Sequence, residues 1–183
     1  MTYVKILHQA SDSFQFLVAF ILAGFVAESI RVWLERRGNY VKLVNDTDNL
    51  CFLLSTNAYF TTPSQCDLRQ KLLRYSLLAF ELALLQERCG VTYLADNETE
   101  LMNHLMKKNL LLNDSVEKEW RALCPHDRVS SLYYFIQCEI NNLLKEDILP
   151  SDYLSMFTEH IMACKTQSKC LMNSVCSTNP IPY

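Results

Sequence analysis

The sequence predicts an all-α protein in which one long apolar helix continues into a bundle of amphipathic helices. Three observations carry that prediction. Half of the 183 residues are apolar, so a sizeable core can form without disulfides or metal. Only 3 Gly and 5 Pro occur, too few turn residues for a sheet protein of this length. Apolar residues recur at three- and four-residue steps through most of the chain, the spacing of one helix face.

The elements follow in chain order. Residues 1–12 read as a polar lead-in, and residues 13–34 as a candidate transmembrane helix. Its core, Ser13–Ala27, carries no charge, while Glu28 and Arg31 fall near its end. Hydropathy leaves two readings of this run, a membrane span or the buried core helix of a soluble protein. Glu35-Arg36-Arg37 suits a membrane–water boundary or a solvated turn. Val41, Val44, Leu50 and Cys51–Leu54 extend the first helix, and Pro63 with Thr61-Thr62 is expected to end it. Asp67 is the expected cap of the next helix, with Leu68, Leu72, Tyr75, Ala79 and Leu82 on one face and Gly90 as its stop.

Beyond Gly90 the predicted elements shorten. Glu98–Lys108 forms a helix, Leu110–Leu112 an apolar linker, and Asp114 with Glu117 a capping-box-like start for a helix ending near Leu123. Pro125 breaks it. Asp127 caps a helix whose stripe is Val129, Leu132, Tyr133, Ile136, Ile140 and Leu144. Ser151 caps the last long helix, with Leu154, Phe157, Ile161 and Cys164 on one face and Lys165 and Lys169 favouring its C-terminal dipole. Residues 35–176 thus make a helical region, and residues 177–183, with Pro180 and Pro182, an extended link.

Charge and composition exclude several functions. The formal charge is −3 and the basic residues are scattered, so no nucleic-acid partner is expected. The eight cysteines form no CxxC pair and read as reduced thiols, and the six-residue spacing of Cys164, Cys170 and Cys176 does not return them to one helix face, so no metal is expected. His8, His104, His126 and His160 are far apart in sequence, and neither phosphate-loop nor hydrolase motifs occur, so the chain is not expected to be an enzyme. His160 and Cys164 stand at i and i+4, where a thiolate–imidazole couple is conceivable but a plain helix surface is the commoner meaning. The sequons at Asn45, Asn97 and Asn113 read as surface and cap residues. Phe16, Phe20 and Gly24 fall at i, i+4 and i+8 on one face of the apolar run. Several copies of that face around an axis would form apolar rings of the kind that gate by dewetting.

Asp12-Ser13-Phe14, Phe20–Phe25 and Arg31-Val-Trp33-Leu-Glu35 together resemble the second transmembrane segment of bestrophins. Lys42–Leu50 (KLVNDTDNL), Arg69–Tyr75 (RQKLLRY), Ala163-Cys164 and Thr178–Tyr183 (TNPIPY) are similar to further segments of that family, in the same order. The resemblance implies a membrane helix feeding a cytosolic helical bundle. It also implies a homo-oligomer, pentameric in the family, that conducts chloride and other anions across a lipid membrane, expected to be the plasma membrane, with most of the chain cytosolic. On this likeness Phe16, Phe20 and Gly24 match the pore neck, and Ile148, within Lys145–Pro150, matches a second, cytosolic constriction. The family has four membrane helices, and here the first and fourth have no counterpart while residues 177–183 would lead toward the third, so a partial chain is expected. No cofactor is expected: calcium occurs in the family, but its ligands follow the fourth helix. Gly24 stands where the family has an aromatic. The competing reading is a soluble all-helical protein-interaction domain without channel activity.

Overall fold

The computed structural model describes residues 2–56, 59–111 and 115–176. All regular elements among them are helical: α1 (Thr2–Thr56), α2 (Pro63–Cys89), α3 (Val91–Asp96), α4 (Glu98–Lys107), α5 (Ser115–Ala122), α6 (Arg128–Lys145) and α7 (Asp152–Cys176). Leu112, Asp114 and residues 177–183 lie outside the described residues, and with them part of the expected apolar linker, the expected start of α5 and the C-terminal link.

The chain divides into two units, Met1–Gly38 and Asn39–Tyr183. The first contains the apolar run, and helix continues through the expected lead-in and through Glu35-Arg36-Arg37. None of these residues is Pro, and Arg31 is held along the helix by Glu28 at 2.6 Å and Glu35 at 3.5 Å. Such i,i+3 and i,i+4 pairs support helix rather than a turn.

The second unit is a bundle in which α2, α6 and α7 pack on one another. The expected faces are the buried ones: Leu72, Tyr75, Ala79 and Leu82 on α2, Val129, Leu132, Tyr133, Ile136 and Ile140 on α6, and Phe157, Ile161 and Cys164 on α7. Leu68 and Leu144 pack at the margin of this core, while Leu154 is exposed. Residues 39–56 of α1 add Leu43, Leu50 and Leu54, each fully buried. Burying each such side chain removes apolar surface worth roughly 1.5–3 kcal/mol, which is what holds long helices together beyond their propensity.

Several boundaries differ from expectation. Pro63 opens α2 instead of only ending α1, because Pro suits the first helical position, whose N–H needs no partner. Thr62, not Asp67, is the cap: its hydroxyl accepts from Gln65 N–H at 3.3 Å, and the Gln65 side chain accepts from Thr62 N–H at 3.0 Å. Gly90 ends α2 at φ 78°, as its lack of a Cβ allows. The short α3 has no signal of its own in sequence. Asp127 precedes α6 without a side-chain capping bond. α7 starts directly after Ser151 and runs on to Cys176, so Lys165 and Lys169 lie inside it and not in its last turn.

Two helix ends use residues other than glycine in the left-handed region. Asn109 (φ 55°) follows α4 and Asp147 (φ 54°) follows α6. At α4 the Leu110 N–H bonds Leu105 C=O and the Asn109 N–H bonds Met106 C=O; at α6 the Ile148 N–H bonds Leu143 C=O and the Asp147 N–H bonds Leu144 C=O. Both are Schellman closures, in which the residue after the left-handed one folds back onto the last turn. Leu110 is buried as a result, and Ile148 packs at the core margin.

Candidate functional site

Within the first unit the apolar run is uncovered. An 18-residue window inside Ser13–Thr56 reaches mean hydropathy 1.9 with none of it buried. Phe16 is 75% exposed and Phe20 70%, and the i+8 position of their face is Gly24, where an added Cβ would meet nothing within 4 Å. Phe14, Leu17, Ile21, Leu22, Phe25 and Ile30 are exposed as well, so the apolar surface runs around the helix and is not confined to one stripe. At about 1.5 Å per residue, residues 13–34 span roughly 33 Å, against roughly 30 Å of bilayer hydrocarbon. At the far end the Arg37 guanidinium lies 5.4 Å from the centre of the exposed Trp33 ring. An aromatic with a cation one turn on is the pairing favoured where lipid meets water. Glu28 and Arg31 neutralise each other through two hydrogen bonds of 2.9 and 2.6 Å.

Within the second unit Ile148 lines an open concavity of about 460 Å³, together with Tyr59, Leu144, Asp147, Pro150 and Leu154. The Schellman closure of α6 places it there. Tyr59 also meets Tyr153 edge-on, with ring centres 5.5 Å apart.

Three polar constellations were not legible as such in the sequence. On α2, Glu81 accepts from Lys108 Nζ at 2.6 Å and lies 2.8 Å from His104 Nε2. Burial raises the Glu81 carboxyl, but the hydrogen bonds from Lys108 and His104 outweigh it and hold it below the usual carboxylate range. The i,i+4 spacing of His104 and Lys108 puts both on one helix face, the one sequence cue to this clasp. Arg128, 4% exposed, donates to the carbonyls of Leu123 and Arg121 and to Glu98, and stacks 5.3 Å from the Trp120 ring centre. The third is a buried seam. Thr47 Oγ1 lies 4.0 Å from Cys164 Sγ, and Tyr133 OH lies 3.3 Å from Ser168 Oγ.

Burial pushes the Cys164 thiol up to about 12 and the Cys51 thiol to about 11. A thiol held that high is a poor nucleophile near neutral pH, and the partner of Cys164 is Thr47, which argues against the His160–Cys164 couple. Burial likewise raises the Tyr133 phenol. Among the described residues no three His, Cys, Asp or Glu side chains converge on a point that could hold a metal ion.

No family model, curated protein or solved structure matches the chain.

Proposed function

We propose that the chain is a subunit, or part of one, of a bestrophin-like anion channel, with residues 13–34 crossing the membrane and Phe16, Phe20 and Gly24 lining an apolar neck. The observation that carries this reading is the uncovered apolar run, whose window of mean hydropathy 1.9 has no buried share within the chain. A helix that is apolar all round requires a core or a lipid environment, and the chain supplies it with no core. The ordered segments KLVNDTDNL, RQKLLRY and TNPIPY support the family likeness, and the Phe16–Phe20 face supports the neck.

Conduction would need no covalent chemistry. Chloride and other anions would shed part of their hydration at apolar rings contributed by the copies of an oligomer, pentameric by the family likeness. Arg36 and Arg37 flank the run on its C-terminal side, which favours placing residues 35–176 in the cytosol, and the family likeness alone suggests the plasma membrane for the run. Ile148 would form the second constriction. A soluble domain built around residues 13–34 as its core helix gains no support, because that run is uncovered.

Chloride efflux from liposomes carrying the purified chain tests the proposal. Efflux above that of empty vesicles is expected, and it should rise or fall when Phe16 and Phe20 are both changed to Ala. Efflux equal to empty vesicles, from protein shown by alkaline carbonate extraction to be membrane-integrated, overturns the channel reading. Release of the chain from the membrane pellet overturns the span itself.

A further inference from the structure

We infer that the end of the apolar run at Trp33 and Arg37 holds the phosphate of an acidic phospholipid. The site rests on the proposed membrane span of residues 13–34 and gives the C-terminal end of that span a lipid partner. With Ser13 at one edge of the hydrocarbon, Trp33 lies about 30 Å away at about 1.5 Å per residue, close to the roughly 30 Å thickness of that layer. Arg37 follows one turn on, about 6 Å further, and the headgroup layer of each leaflet is roughly 5–7 Å deep. Helix side chains lean back toward the N-terminus, and the Arg37 guanidinium accordingly lies over the Trp33 ring, 5.4 Å from its centre. Both residues are exposed. The indole therefore meets the end of the acyl layer, and the cation on it lies at the height of the phosphates.

Charge gives the class of lipid. Glu28 and Glu35, the two carboxylates of this stretch, are drawn to Arg31 at 2.6 and 3.5 Å. Among the described residues no carboxylate lies within pairing distance of Arg37, whose partner is the Trp33 ring. From Arg36 to Asn45 the sequence carries three cations and no acid, in a chain of net charge −3. The other end of the run lacks this feature: the nearest cation before Ser13 is Lys5, and Asp12 stands between them. A guanidinium presents a fork of N–H donors that matches two oxygens of one phosphate. A choline lipid offers the same phosphate but adds a cation that this stretch repels, so a headgroup of net negative charge is preferred. Acidic lipids of the cytosolic leaflet attract basic segments next to a span in the same way. Trp33 holds the guanidinium by its ring face and keeps its own apolar body against the acyl chains.

Trp33 itself reports the contact. The full-length chain is reconstituted into phosphatidylcholine vesicles in which a fixed minor fraction of lipid, either phosphatidylserine or phosphatidylcholine, carries acyl chains brominated near the headgroup. Quenching of Trp33 is the loss of emission beyond that of Trp33→Phe, which leaves only Trp120. Brominated phosphatidylserine is expected to occupy the site with at least about fivefold preference over brominated phosphatidylcholine, the factor that one cation's attraction to an acidic surface supplies. Phosphatidylglycerol, acidic without the serine, should match phosphatidylserine. Arg37→Gln should remove most of the preference, and Lys169→Gln, at an exposed position of α7, should leave it intact. Equal quenching by phosphatidylserine and phosphatidylcholine overturns the lipid site and leaves the span standing. Absence of quenching by either lipid overturns the span and the site with it. A preference that survives Arg37→Gln, that falls equally with Lys169→Gln, or that phosphatidylglycerol does not share also overturns the site.

Discussion

Residues 13–34 of α1 and residues 129–144 of α6 are both rich in large apolar side chains, and their surroundings are opposite. Ile136 and Ile140 are fully buried, whereas Phe16 and Phe20 are 75% and 70% exposed. The difference lies in how the apolar residues are arranged around the helix. In α6 they keep to one stripe, with exposed Asn142 and Tyr134 off it, so two neighbouring helices can cover them. In residues 13–34 they occupy every face, and covering them would take a ring of neighbours. α1 makes the same point within one helix: from Leu43 to Leu54 its buried residues, Leu43, Thr47, Leu50 and Leu54, follow a single three- and four-residue stripe. A stripe can be covered by partners in the same chain, while an all-round apolar surface needs a surrounding core or a lipid medium.

The sharpest way to break this comparison is to cut one side chain from each region. Phe157, fully buried on α7, should cost about 3–5 kcal/mol of bundle stability on change to Ala, through lost burial and the cavity left behind. Phe16→Ala removes a ring that touches no core and should change bundle unfolding by less than about 0.5 kcal/mol. Denaturant unfolding followed by an α6 or α7 probe measures both. Equal losses would mean that the apolar run is packed in solution and that its exposure is not the functional feature.

A charge placed in each region gives the next largest effect. Leu22→Arg lies near the centre of the run and should disfavour membrane insertion by about 2.5–3.5 kcal/mol. Leu77→Arg, at a 43% exposed position on α2, should leave the membrane-bound fraction unchanged. Glycosylation-tag insertion assays or carbonate extraction of the two variants separate these outcomes. Loss of membrane retention in both would show that the bundle, not the run, holds the chain at the membrane.

The regions also differ in how legible they were. The bundle's faces could be read from periodicity because Leu, Ile and Val on a stripe have one economical solution, burial against other stripes. The run's chemistry was equally plain, but hydropathy alone cannot separate lipid from a protein core, and what the structure adds is that Phe16 and Phe20 stay exposed in the chain. Capping at α2 was misread because Asp67 and Thr62 are both good caps, and Pro63 decided between them by favouring the first helical position. The clasp of Glu81 with His104 and Lys108, and the stack of Arg128 on Trp120, join residues 23 or more apart or pack one helix end on another, so only the folded chain reveals them. The left-handed positions at Asn109 and Asp147 were hidden by the absence of glycine there.

Within the bundle, the Glu81 clasp should matter less than a core side chain. His104 and Lys108 are 42% and 47% exposed, so solvent screens the pair and Glu81→Gln should cost only about 0.5–1 kcal/mol. The sign of its pH dependence is fixed. The folded Glu81 carboxyl titrates below its ordinary value of 4.5, so its contribution is complete well above that value and is lost as pH falls through the lowered folded pKa. Unfolding free energies of wild type and Glu81→Gln should therefore differ at pH 7 and converge on acidification. A gap that persists once the Glu81 carboxyl is fully protonated in the folded state would assign the loss to packing instead of charge.

A last set of substitutions tests backbone conformation in the two regions. Gly38 sits inside α1, and an added Cβ there would meet nothing within 4 Å, so Gly38→Ala should stabilise the helix by about 0.5–1 kcal/mol. Asp147 presents the opposite mismatch, a side chain held at φ 54° where glycine would be unstrained. Asp147→Gly relieves that strain, but it also frees the unfolded chain, so the net gain should be only about 0.5 kcal/mol. Because the Schellman closure depends on this backbone conformation and not on the carboxylate, Ile148 should keep its place at the core margin in the glycine variant. Asp147→Val, which resists the left-handed region, should lose more than about 1 kcal/mol and displace Ile148. Helix content on thermal unfolding reads the first change, and denaturant midpoints read the others. If Asp147→Gly and Asp147→Val destabilise equally, the carboxylate itself, and not the backbone, holds the end of α6.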